Sequence, residues 1–192
     1  MRRPPFLGSA AARHNRWREC VAGGWLGRNA GNALIEFALV APILVILLLN
    51  LFDFSALIWV TMQTDYAAQM GAQAALKTCA GGTLPAMTSG NCSGLNTAIA
   101  NAIHGTSLGS GVSLASGYPT ETYYCVSGTA LQSVGTYSSP PNPFDCSAAG
   151  NSAVVPGDYV TVQVSYSYTP TFAGLSLASS RTLTSTALER LQ

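Results

Sequence analysis

Histidine occurs twice in the 192 residues, lysine once, and charged residues make up only 9% of the chain. A soluble globular domain usually carries about a quarter charged residues, so a freely soluble, charge-coated molecule is excluded. His14 and His104 are the only imidazoles and no C-x-x-C occurs. A zinc centre therefore has no ligand set, and neither a metal nor another cofactor is expected. There is no G-x-S-x-G, and the glycines between Gly105 and Gly117 are not followed by Lys-Ser/Thr. The chain thus lacks both a nucleophile elbow and a phosphate-cradling loop, and catalysis is not expected of it. Glu121, Asp145 and Asp158 fall near turns or strand starts, where carboxylates are as a rule solvated.

What charge there is lies unevenly. Residues 1–31 hold Arg2, Arg3, Arg13, Arg16, Arg18 and Arg28 against Glu19. Residues 32–192 hold Lys77, Arg181 and Arg190 against seven carboxylates. No nucleic-acid-binding fold and no interleaved aromatics accompany the arginines, so no nucleic-acid partner is expected. They flank an apolar run instead. From Phe37 to Phe52 there is no charge, and Asn50 is the only polar residue. About 20 mainly apolar residues span a bilayer, and Ala33 to Phe52 supplies them. A cleaved secretory signal would be shorter and closed by an A-x-A-like site, whereas Asn-Leu-Phe-Asp-Phe follows Leu49. The run reads as a retained single-pass anchor, with a transmembrane segment at about 34–54. Positive charge beside a single span stays cytoplasmic, which places the C-terminal part on the periplasmic side of an inner membrane.

One long helix is expected from about Ala30 to Thr78, roughly 70 Å at about 1.5 Å per residue. Pro42 lies inside it, tolerable in a membrane helix. Beyond Asp53, Trp59, Met62, Tyr66, Met70 and Ala74 recur at spacings of three and four, an apolar stripe on which a folded head would pack. Leu95 to His104 reads as a short helix, with Ser93 as its cap and Gly105 as its stop. Strands are expected at Val112–Ala115, at Thr120–Ser127 and, most clearly, at Asp158–Tyr168. In the last, Val160, Val162, Val164, Tyr166 and Tyr168 alternate with Thr161, Gln163, Ser165 and Ser167. Arg181 to Leu191 reads as a closing strand, antiparallel to it. A Gly/Ser/Pro-rich segment fills the interval up to Ser152. Cys20 sits in the leader; Cys79, Cys92, Cys125 and Cys146 follow the span. An even count in a small extracytoplasmic domain implies two disulfides. Three pairings are possible, and Cys79–Cys92 with Cys125–Cys146 is favoured because each bond closes a Gly/Ser/Pro-rich loop. Tyr123, Tyr124, Tyr137 and Pro140 to Phe144 could form a contact surface, but a disulfide-closed loop accounts for them more simply.

The border between leader and helix carries one more pattern. Gly31 is followed after four residues by Glu36, inside the apolar run. A carboxylate at the centre of a membrane helix costs about 2.5–3.5 kcal/mol on insertion scales, less near the end, and so usually has a task. Basic leader, Gly31, Glu36 and apolar helix together resemble the processing site of type IV pilins and pseudopilins. Glu36-Phe37-Ala-Leu-Val-Ala-Pro42 resembles the E-F-A-L-x-x-P core of TadE-like proteins, minor pilin-like components of the tight-adherence (Tad/Flp) pilus. Tyr159 to Pro170 and Leu183 to Ala187 resemble that family's valine-rich and closing strands. The resemblance covers residues 28–78 and 157–190. A leader of 31 residues is long compared with many pilin leaders.

The resemblance implies a pilin-like α+β fold: a basic leader (1–31), a long helix (32–78) and a disulfide-bonded head (79–192) built on a small antiparallel sheet. It implies cleavage between Gly31 and Asn32 by a prepilin peptidase, and assembly roles for Glu36, Phe37 and Pro42. The implied partners are that peptidase, other minor pilins, the major pilin, the inner-membrane platform and the lipid bilayer, with a role in pilus assembly, priming and surface adhesion. The alternatives are a membrane-anchored periplasmic binding domain that never enters a filament, and a secretion-system pseudopilin.

Overall fold

The computed structural model describes residues 30–80, 82–88 and 90–191, with side chains from residue 33 onward. The leader calls (the six arginines, Trp17, Cys20, Trp25, Asn29) lie outside the described residues. Helix α1 covers Ala30–Cys79, with Pro42 inside it. The chain divides into two compact units, one ending at Leu48 and one running Leu49–Gln192. In the first, the helix surface is apolar and bare: Leu34, Phe37, Leu39 and Leu48 are all more than 60% exposed. The most apolar 18-residue window of Ala33–Cys79 has a mean hydropathy of 2.6 and is 6% buried, a helix long and apolar enough to cross a membrane.

The second unit is the head. Helix α2 (Leu95–His104) is followed by strands β1 (Val112–Leu114), β2 (Thr120–Ser127), β3 (Ala130–Thr136), β4 (Gly157–Tyr168) and β5 (Arg181–Arg190). All pairings are antiparallel. β4 is the centre: β5 pairs with it from Tyr159 to Tyr168, while the other edge of β4 is shared by β2 at Gly157–Thr161 and β1 at Val164–Tyr166. β3 lies outside β2. Alternation makes β4 the core strand, since its even residues share one face. Val160, Val162 and Val164 are completely buried there among Ala67, Ala68, Ala72 and Ala75 of α1 and Ile99 and Ile103 of α2.

Small residues on α1 allow that approach. A Cβ on Gly71 would meet Ile103 Cγ2 and Val162 Cγ1, each at 3.0 Å, so hydrogen is the side chain that fits where α1, α2 and β4 converge. The face of α1 turned to the sheet is thus not the expected stripe. Trp59, Met62 and Tyr66 are at least half exposed, and the buried set is Leu57, Val60, Ala67, Ala68, Ala72, Ala75 and Cys79. Volume explains the difference: valines already fill the sheet face, so the facing helix must be thin.

Two local expectations also change. α2 begins at Gly94, in a left-handed conformation and without a side-chain cap, rather than at Ser93; Gly105 does close it. The Gly/Ser/Pro-rich interval contains β3, joined to β2 by the two-residue turn Gly128-Thr129, with Gly128 at φ +62°. The disulfides are Cys79–Cys92 and Cys125–Cys146. Phe144 packs edge-on against Tyr123 at 5.2 Å between ring centroids, next to the second of them.

Candidate functional site

The residues singled out from sequence fall on two surfaces. Gly31 and Asn32 lie in the first turn of α1, and Glu36, Phe37 and Pro42 follow on its exposed first half. The four cysteines belong to the head. The helix therefore presents Glu36 among exposed apolar side chains.

Two further polar residues, Asn50 and Asp53, were missed as a constellation, and they anchor the head to α1. Asn50 is 7% and Asp53 0% exposed. The Asn50 amide donates to Leu175 O (3.1 Å), and its Oδ1 accepts from Leu177 N (2.7 Å). The Asp53 carboxylate accepts from Thr171 N (3.0 Å) and Phe172 N (3.4 Å), while its backbone carbonyl accepts from the Tyr168 hydroxyl (2.9 Å). Phe52 meets Phe172 edge-on at 6.5 Å. The β4–β5 connection is thus strapped to the helix next to the apolar run. The available signal was the pair itself: two polar residues three apart occupy one helix face, in a stretch that is otherwise apolar.

A second polar centre lies at the other end of β4. Glu121, 1% exposed, accepts from Ala86 N (2.7 Å) through one oxygen and from Met87 N (2.6 Å) through the other. It thereby pins the loop closed by Cys79–Cys92. Asp158 is 5% exposed and neither of its carboxyl oxygens meets a hydrogen-bond donor among the described residues. Burial, then the neighbouring Glu121 carboxyl, push Asp158 from 3.8 up to about 8. Burial and the same two carboxyls also push the Tyr123 phenol up. The expectation of solvated carboxylates thus fails for Glu121 and Asp158. Strand alternation put both on the inner face, and the loop supplied donors for only one. Asp158 borders a cavity of about 410 Å³ lined also by Leu84, Pro85, Tyr123 and Phe144, with Arg190 among its other walls. Among the described residues no three His, Cys, Asp or Glu side chains gather as a metal site.

The raised value has a sign. Between about pH 4 and pH 8 the folded chain holds a proton on Asp158 that the unfolded chain has lost. The stability this contributes is fully present below pH 4 and is lost as the pH rises through 8. Water in the adjoining cavity screens the effect, leaving on the order of 2 kcal/mol. Thermal melts of the detergent-solubilised chain should fall by about 4 °C from pH 5 to pH 9. Asp158→Asn should flatten that slope; an unchanged slope would place the proton elsewhere.

A bare apolar helix continuing into the spine of a small antiparallel α+β head is the build of an anchored, pilin-like protein. Residues 31–73 match the family model described as TadE-like protein. The chain thus carries a TadE-like segment over its long helix. Comparison with curated proteins and with solved structures gave no match.

Proposed function

We propose that the chain is a minor pseudopilin of a Tad-type pilus, cut after Gly31 by a prepilin peptidase and held in the inner membrane until assembly. The observation that carries this reading is the TadE-like match, which begins at Gly31 and covers the apolar helix and Glu36. A peptidase acting at the membrane surface needs a residue without a side chain in its cleft, and glycine supplies it. Cleavage would leave the Asn32 amine free. Amine and carboxylate are both costly unpaired in lipid, so pairing Glu36 with the amine of a neighbouring subunit would fix axial register. The half-exposed Trp59, Met62 and Tyr66 extend the apolar surface beyond the span, which supports burial against neighbouring helices. In this reading the leader is cytoplasmic and the head periplasmic. The disulfides suit that oxidising side. Other minor pilins, the major pilin and the inner-membrane platform are the proposed partners, and priming of assembly and adhesion the proposed roles.

The test is the N-terminus and intact mass of the membrane-extracted protein from cells with and without the peptidase. A peptidase-dependent N-terminus at Asn32 is expected, and Gly31→Leu should leave only precursor. Glu36→Ala should be processed normally yet reduce piliation at least tenfold; wild-type piliation in that variant would refute the pairing. The cavity at Asp158 supports a second reading, an anchored periplasmic binding domain. It requires an intact leader, or removal elsewhere, and indifference to Glu36.

A further inference from the structure

The connection between β4 and β5 runs Thr-Pro-Thr-Phe-Ala-Gly-Leu-Ser-Leu-Ala-Ser-Ser from Thr169 to Ser180 and contains no charged residue. It exposes both of its leucines: Leu175 is 55% and Leu177 82% exposed. A surface loop in water gains nothing by presenting two leucines. Part of the loop's backbone is also tied down by hydrogen bonds within the protein. Leu175 N and Ser176 N both donate to Phe172 O, and Ala178 N donates to Ser176 Oγ. Thr171 N and Phe172 N are taken by Asp53, and Leu177 N by Asn50, which also donates to Leu175 O. Proline at 170 has no N–H to satisfy.

Those two properties belong together in one environment. Non-helical backbone with polar groups lacking protein partners is kept out of the hydrocarbon, but at the interface those groups meet headgroups and water while outward apolar side chains enter the acyl boundary. Position agrees. A span beginning at Ala33 reaches its required length of about 20 residues by Phe52. Asn50 and Phe52, the residues that hold this loop, therefore mark the outer boundary of the hydrocarbon. Phe52 and Phe54, exposed on the helix beside it at 65% and 43%, continue the apolar surface into the loop. The first charge after the loop is Arg181, a residue whose stem can lie in the interface while its head stays in water.

We propose that the Thr169–Ser180 connection is a lipid-seated collar: Leu175 and Leu177, with Phe172 behind them, insert into the outer face of the bilayer that holds α1, while Asn50 and Asp53 satisfy the backbone that goes with them. The collar gives the head a second contact with the membrane. The proposal rests on α1 being a membrane span, and the test separates the two.

Single tryptophans are placed at Leu177, at Leu44 in the span and at Val126 far along β2, in full-length chain with Trp17, Trp25 and Trp59 changed to phenylalanine. Each is reconstituted into nanodiscs of phosphatidylcholine and phosphatidylglycerol, with or without bromine near the upper part of the acyl chain. All three sites are exposed, so each variant should fold. Leu177→Trp should be quenched at least twofold by the bromolipid and shielded from iodide, Leu44→Trp should be quenched, and Val126→Trp should respond to iodide alone. Quenching at 44 with a Leu177→Trp signal that behaves like Val126→Trp would overturn the collar and leave the span standing. Absence of quenching at 44 would overturn the span and the collar with it. Adding Asp53→Ala to Leu177→Trp should at least halve the quenching, because the loop then loses the acceptors that allow it to sit there.

Discussion

Glu121→Ala should cost about 3–5 kcal/mol of unfolding free energy, the largest loss expected from any single polar substitution in the head. Its carboxylate is the acceptor for Ala86 N and Met87 N at 2.7 and 2.6 Å. Removing it leaves two backbone donors buried with no acceptor, at roughly 1–3 kcal/mol each, and opens a void behind them. Glu121→Gln keeps one acceptor oxygen and should lose less than half as much. Denaturant titration of the detergent-solubilised chain measures both. The alanine variant should also make the pH slope shallower, because Asp158 keeps its burial but loses the carboxyl beside it. A loss under about 1 kcal/mol with the slope intact would mean that the loop is held by its disulfide alone.

Asp53→Ala is the second, at about 2–4 kcal/mol, and its effect should be local in character. Thr171 N and Phe172 N lose their acceptor, whereas the Tyr168 hydroxyl keeps its bond, because that bond goes to the Asp53 backbone. Hydrogen exchange should therefore accelerate at residues 171–177 while Val160, Val162 and Val164 stay protected, a sub-global opening rather than general softening. Asp53→Asn should restore most of the protection. If alanine leaves exchange in the connection unchanged, Asn50 alone carries the strap.

Legibility in the sequence followed periodicity. β4 and β5 declare themselves by strict alternation, and α2 by a short apolar period with a glycine at its end, so their bounds and antiparallel pairing were readable. β3 was not, because five of its seven residues are small or polar and most of the strand is exposed; it exists through pairing with β2 across a tight turn. The packing face of α1 was misread for a related reason. Pattern reading gives weight to large apolar residues, while the contact with the sheet is made by alanines and a glycine that carry almost no hydrophobic signal of their own. The polar anchors were the least legible. Asn50, Asp53 and Glu121 matter because backbone groups far along the chain reach them, and the sequence near each residue holds no trace of its partner. Gly31 and Glu36 stood out by contrast, since an expensive residue in an apolar run is visible without any tertiary contact.

β4, the strand that buries its valines against α1, follows α1, β1 and β2 in the chain, and β5, which pairs with its other edge, follows β4. Order of emergence follows. As the polypeptide is made, the alanine face of α1 and the hydrogen-bonding edges of β1 and β2 appear early and stay uncovered until residues 157–190 arrive. The head can close only after β4 and β5 are complete, so a product truncated before Gly157 would present an open sheet and a bare helix groove to any chaperone or protease that meets it.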